Sequence, residues 1–182
     1  MERISLDTIR LKFVWVLLPI LLFFSEPSPS SFLCGVIVVL IGLGIRLWAA
    51  GFIEKYNSLT TAGPYAHTRN PLYLGTLFIG LGFALVSNEF LMVVVCSMFF
   101  CFVYVPKILQ EVTDLEERFG VRYRMYAKEV PLVFPQHRPY QEPLLGDHHN
   151  RFRFRRYLFN REWEALLGSV LVFILLFLKY VL

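Results

Sequence analysis

Two short polar stretches in an otherwise apolar chain hold the residue types that can do chemistry. In the first, Arg69-Asn70-Pro71-Leu72-Tyr73-Leu74-Gly75 follows a Gly63-Pro64 turn. Pro71 suits the first turn of a helix, where its missing N–H costs nothing. Asn70 is then the natural N-cap. The free N–H groups of that first turn, with Arg69 and Tyr73 beside them, would attract an anion or a carboxylate. The Gly-Pro turn lets loop backbone approach a ligand closely. In the second stretch Lys107 and Glu111 stand four apart and share one helical face. Matched charges at the edge of an apolar segment often mark a site. Each feature also has a plain structural reading. An Arg-Asn-Pro loop caps helices, a Lys–Glu pair is commonly solvated, and Tyr123 and Tyr126, in helical register with Leu115 and Phe119, suit packing or interfacial anchoring. His67, His148 and His149 have no acidic or cysteine partners nearby and read as loop residues. Cys34, Cys96 and Cys101 fall inside apolar blocks and read as packing residues, with no metal or disulfide implied.

Membrane helices must position these residues. Hydrophobic residues fill 56% of the 182 positions and charged residues 18%, against about 45–50% and about 25% in soluble domains. The apolar runs are discrete: residues 13–24, 32–52 (broken only by Arg46), 72–86, 90–105 and 165–178. With their flanks they approach the ~20 residues of a spanning helix. They predict an all-α, polytopic transmembrane bundle of about five spans. Ser87-Asn88-Glu89 reads as the turn of a helical hairpin, and Pro106 as the boundary after which the helix emerges from the membrane. The first block has the basic flank of a signal peptide but no small-x-small cleavage site after it, so it reads as a signal-anchor helix.

Lysine and arginine set the orientation. With the N-terminus in the cytoplasm, Arg3, Arg10, Lys12, Lys55, Arg69 and all basic residues from 107 to 161 lie inside. The loops 25–31 and 87–89 face outward and hold neither Lys nor Arg. The C-terminus is then outside, and Lys179 alone breaks the pattern. The charge excess of +4 is topological and carries no nucleic-acid module.

Taken together, the two stretches resemble the isoprenylcysteine carboxyl methyltransferase and phospholipid methyltransferase superfamily of integral membrane enzymes. Its pattern of Gly-x-Tyr, then Arg-His-Pro-x-Tyr-x-Gly, is matched by Gly63-Pro64-Tyr65 and Arg69-Asn70-Pro71-Leu72-Tyr73-Leu74-Gly75. After a two-helix hairpin, its second half is matched by Glu111, Leu115, Phe119-Gly120, Tyr123, Tyr126 and Val130-Pro131. The likeness covers residues 35–135. Asn70 stands where His is usual, Val112 where a second Glu is usual, and Lys107 where a substrate-contacting Arg is usual.

The resemblance implies S-adenosylmethionine as cofactor and a lipid-borne or lipophilic methyl acceptor as partner. Catalysis then comes mainly from positioning in a dry pocket. Residues implied to line the cofactor pocket on the cytoplasmic face are Asn57, Ser58, Leu59, Thr60, Tyr65, Arg69, Asn70, Pro71, Leu72, Tyr73 and Glu111. Arg69 or the helix start would hold the methionine carboxylate, and Glu111 the ammonium or sulfonium side. Lys107, with Glu111, is the implied catalytic pair and would orient an acidic acceptor. The acceptor would arrive laterally from the bilayer and the cofactor from the cytoplasm. Residues 1–135 then form the methyltransferase-like domain. Residues 136–182 form a basic cytoplasmic segment, with Arg151-Phe-Arg-Phe-Arg-Arg156 suited to anionic headgroups or to topological retention, followed by the fifth helix. Two other classes share the architecture: an NADPH-dependent membrane reductase of sterol-reductase type, and a non-catalytic scaffold, which the missing second Glu makes thinkable.

Overall fold

The structure is a computed structural model that describes residues 16–53, 58–141 and 151–182. Asn57, His148, His149 and the start of the first apolar block lie outside the described residues. Among the described residues all regular structure is helical. A first helix, α1, covers 16–24. It is followed by α2 (Pro29–Phe52), a 3-10 turn (Gly63–Ala66), α3 (Pro71–Val86) and α4 (Phe90–Phe99). A π-helical turn (Phe100–Tyr104) leads into α5 (Val105–Glu129), and α6 (Phe154–Phe159) and α7 (Trp163–Val181) close the chain.

Bilayer thickness explains the lengths. Three helices are long and apolar enough to cross a membrane: Pro29–Phe52, Trp163–Val181, and the continuous run Phe90–Glu129. The apolar Pro71–Val86 is shorter. At 1.5 Å per residue the 24 residues of α2 extend about 36 Å, enough for a hydrocarbon core of about 30 Å. Large apolar side chains along these helices are exposed, among them Leu33, Ile37, Leu40 and Ile41 on α2 and Val170, Leu171, Ile174 and Phe177 on α7. A contiguous apolar surface of this kind belongs against lipid.

Pro106, expected where the fourth apolar helix leaves the membrane, does not end the helix. It lies inside a helical run, Phe90–Glu129, of 40 residues. Proline in a helix lacks a donor and crowds the carbonyl four residues back. The π turn lies immediately before Pro106 and takes up that misfit by a local change of hydrogen-bond spacing. The run is bent instead at Gly120, whose φ of 54° and ψ of −124° are non-helical and suit only glycine.

The chain forms two compact units, residues 1–41, 77–109 and 167–182 in one, and 42–76 and 110–166 in the other. In the first unit, the two loops expected on one side of the membrane meet. The Glu26 N–H donates to the Ser87 carbonyl at 2.8 Å, and the Ser31 hydroxyl to the Val86 carbonyl. The hairpin turn 87–89 forms as expected, with Asn88 left-handed at φ 59°, a conformation asparagine tolerates. Lys179, the charge that broke the topology pattern, has a local task. Its ammonium donates to the Leu22 and Phe23 carbonyls at 2.6 and 2.8 Å, capping the last turn of α1 with positive charge. Gly35 and Gly82 bring α2 and α3 into close approach, since a Cβ at Gly82 would sit 2.9 Å from the Gly35 carbonyl oxygen. Phe173 of α7 packs beside Phe32 and Phe83. The three cysteines are free thiols. Cys96 is half-buried under Gly80, whereas Cys34 and Cys101 are exposed, so only the first has the packing role expected of all three.

In the second unit the core is a cluster of Leu59, Tyr123, Tyr126 and Val130, with Val112, Leu115, Phe119 and Tyr140 packed around it. Burying a side chain such as Leu59 contributes roughly 1.5–3 kcal/mol. The basic segment closes the C-terminal end of α2. The Arg153 N–H, the Arg156 guanidinium and the Asn160 amide donate to the carbonyls of Gly51, Phe52 and Ala50 respectively. These are the orphan acceptors of a helix end.

Candidate functional site

The loop from Gly63 to Asn70 is held in the second unit by a run of hydrogen bonds to the segment after α5. The Arg69 N–H donates to the Pro131 carbonyl at 3.0 Å, and the Tyr140 N–H to that of Ala66 at 2.9 Å. Thr68 donates its hydroxyl to Val133 at 2.8 Å. The Asn70 side-chain amide donates to Leu132 at 2.9 Å, and His67 Nδ1 pairs with the Gln136 carbonyl. Gly63 is left-handed at φ 61°, and a Cβ there would press on the Phe52 ring. This glycine is therefore required by the turn and its packing, with no ligand needed to explain it. Asn70 stands directly before Pro71, the first residue of α3, with its side-chain amide bonded to Leu132.

Two tyrosines of α5 reach this loop. Tyr126 donates its hydroxyl to the Tyr65 carbonyl at 2.7 Å, and Arg69 donates from Nη1 to the Tyr123 hydroxyl at 3.2 Å. Both rings are almost wholly buried, so they pack and hydrogen-bond at once. Tyr65 is 7% exposed, and its hydroxyl has no hydrogen-bond partner among the described residues; the same holds for Arg69 Nε and Arg46 Nε. Burial holds the Tyr65 phenol well above its ordinary pKa, with the charges of Glu111 and Glu162 adding to the rise and Arg46 opposing it. The phenol thus stays a neutral donor.

The expected residues separate as follows. Arg69 is hydrogen-bonded to Tyr123 and the Tyr65 carbonyl to Tyr126, Asn70 is bonded to the Leu132 carbonyl instead, and the Glu111 charge acts on Tyr65. Thr60 is buried and Ser58 half-buried, and both take part in polar interactions. Leu59 belongs to the hydrophobic cluster. Pro71 is fully buried, the Leu72 carbonyl accepts from Arg46 and Thr76, and Tyr73 is half-buried. Lys107 and Glu111 lie one turn apart on α5, both half-buried, but Lys107 belongs to the first unit. Val112, the departure from a second Glu, packs against the Leu59–Tyr123–Tyr126 cluster, where a carboxylate would lose its hydration.

Two polar residues of the second unit were not among the expected site residues. Arg46, inside the apolar stretch of α2, donates from Nη2 to Glu162 Oε2 at 2.5 Å and from Nη1 to the Thr76 hydroxyl at 2.5 Å. Gly75 makes room for it, since a Cβ there would lie 2.6 Å from Arg46 Cγ. The one charge in an apolar block was the available signal for Arg46; Glu162 gave none.

Helices of bilayer length and a polar loop stitched to the charged half of a long helix define a helical membrane protein. Residues 29–122, just over half of the chain, match the phospholipid methyltransferase family, and the chain belongs to it. It is similar to the cobalt-zinc-cadmium resistance protein CzcN of Cupriavidus metallidurans, 32% identical over 111 residues, covering 60% of this chain and 51% of that protein. It is also similar to the nickel-cobalt-cadmium resistance protein NccN of Alcaligenes xylosoxydans xylosoxydans, 30% identical over 105 residues, 56% of this chain and 47% of that protein. The chain spans about half the length of these curated relatives. No solved structure matches it.

Proposed function

We propose that the chain is an integral membrane methyltransferase that uses S-adenosylmethionine and acts on a lipid-borne or lipophilic acceptor. The observation that carries this reading is the family match over 29–122, which takes in the Gly63–Gly75 loop, Lys107 and Glu111, with Tyr123 and Tyr126 just beyond it. The cofactor supplies a methyl group on a sulfonium, so the protein's work is to bind, orient and exclude water. The residues present fit that group. Arg69 keeps an unspent buried Nε–H and Tyr65 an unspent hydroxyl, both suited to carboxylate or ribose oxygens, while Glu111 offers negative charge for the cationic side. Ser58, Leu59, Thr60, Asn70, Pro71, Leu72 and Tyr73 complete the wall. Lys107 orients an acidic acceptor, and residues 136–182 supply the closing segment and the last span. The N-terminus is cytoplasmic and the C-terminus outside.

The relatives are named for metal resistance; under this reading the chain's own part is to methylate a membrane component. Arg69→Ala and Glu111→Ala abolish binding of S-adenosylmethionine while the protein remains extractable and folded. Two variants that bind the cofactor like the parent would remove the pocket from these residues. Membranes supplied with methyl-labelled cofactor, followed by lipid extraction, identify the acceptor.

A further inference from the structure

A charged residue inside an apolar helix is costly and marks a function by default. Arg46 is such a residue, and its bonding is one-sided. Nη1 and Nη2 are engaged by Thr76, the Leu72 carbonyl and Glu162, which fixes the plane of the guanidinium. Its Nε–H is buried with no partner among the described residues. The loop that carries Tyr65 packs on the same half of α2, with His67 beside the Trp48 ring and Gly63 against that of Phe52. Tyr65, on which the charges of Arg46 and Glu162 act, likewise keeps its hydroxyl buried with no partner among the described residues. Native structures rarely bury a donor unspent. Here three are buried in the same unit, these two and the Arg69 Nε–H, and the Arg46 donor is on a cation held in place by a carboxylate 116 positions away. Donors fixed beforehand and left unspent suit an acceptor oxygen that arrives with a ligand, and a cationic donor favours an anionic one.

We propose that Arg46 and Tyr65 form an oxyanion subsite, taking a carboxylate or phosphate oxygen on the Arg46 Nε–H and the Tyr65 O–H, with Glu162 and Thr76 as the positioning residues that hold the guanidinium. The oxygen has two possible sources, the carboxylate of the cofactor or the acidic headgroup of a lipid. The first source rests on the methyltransferase reading; the second does not. The plain alternative is that Arg46–Glu162 is a staple between elements and Tyr65 a packing residue.

The full-length protein in phosphatidylcholine nanodiscs separates these. Binding of S-adenosylmethionine and of its decarboxylated analogue is read by calorimetry, and binding of dioleoyl phosphatidic acid by native mass spectrometry. The variants are Tyr65→Phe, which removes only an oxygen the fold does not use, and Arg46→Lys, which keeps the charge and loses the Nε–H. With the cofactor as source, both variants weaken S-adenosylmethionine about tenfold, the loss of one charge-assisted hydrogen bond, and leave the decarboxylated analogue unchanged. With the lipid as source, Arg46→Lys leaves S-adenosylmethionine unchanged and both variants weaken phosphatidic acid by a similar factor. Variants within about twofold of the parent for every probe overturn the subsite, as does an equal loss for the two cofactor forms with phosphatidic acid unchanged. A parent that binds phosphatidic acid but no S-adenosylmethionine sinks the methyltransferase reading and keeps the subsite if the variants lose the lipid. A parent that binds none of the probes overturns both.

Discussion

The Arg46–Glu162 pair makes a stability prediction separate from any ligand. Its side chains are 21% and 10% exposed and its atoms 2.5 Å apart, so removing one partner strands a desolvated charge. Such a loss costs about 3–5 kcal/mol, whereas replacing both charges by groups of similar volume is far milder. Partial exposure of Arg46 places the expected single-variant cost at the lower end, about 3 kcal/mol for Arg46→Met and for Glu162→Gln. For a chain of this size each kcal/mol moves the melting midpoint by about 2–4 °C, so each single variant should melt about 6–12 °C below the parent. The double variant should recover at least about 1.5 kcal/mol of the summed loss. The measurement is helix melting by circular dichroism in detergent micelles, with all four proteins in one buffer. Single losses that add to the double within about 0.5 kcal/mol, the behaviour of independent sites, would refute the pair as a coupled unit.

Tyr126→Phe removes the buried bond to the Tyr65 carbonyl and should cost about 1–3 kcal/mol in the same melting assay. Gly120→Ala forces a side chain onto a backbone at φ 54° and should cost about 1–3 kcal/mol, although nothing crowds the site; an unchanged midpoint would mean the bend relaxes freely. Lys107→Ala should cut turnover at least about tenfold with cofactor binding kept, the loss of a contact to a charged group, and Lys107→Arg should retain partial activity; turnover within about twofold of the parent makes Lys107 a topological charge. A cysteine placed at Ser28 should label only from outside and one at Arg153 only from the cytoplasm, and labelling of Arg153→Cys from outside reverses the proposed orientation.

The helices were legible because hydrocarbon thickness dictates them. The apolar blocks at 32–52, 72–86 and 90–105 fall on α2, α3 and α4 with the π turn, and the block at 165–178 falls within α7. The loop from Gly63 to Tyr73 was legible in part. Pro71 opens α3 as its chemistry requires, yet nothing local shows that Thr68 and Asn70 would spend their side chains on carbonyls more than 60 positions away. The π turn before Pro106 was not legible, because it is a property of hydrogen-bond spacing with no residue signature of its own. Glu162 was invisible for a related reason. A carboxylate in a charged segment looks solvated until the fold brings it to Arg46. Val112 reads as a lost function beside Glu111 and as a packed core residue once Leu59 and Tyr123 surround it.

The π turn at Phe100–Tyr104 also carries a consequence for how insertions and deletions act on this chain. It accommodates one residue more than an α-helical path would need. Deleting a single residue there removes the excess and leaves every later side chain on its bearing about the helix axis, whereas a deletion in the regular helix after the turn rotates all that follow by about 100°. Glu111, Tyr123 and Tyr126 should then keep their neighbours after a one-residue deletion within Phe100–Tyr104 and lose them after the same deletion between Val105 and Gln110. The short aromatic window is thus the place in this long helix where a one-letter gap is absorbed.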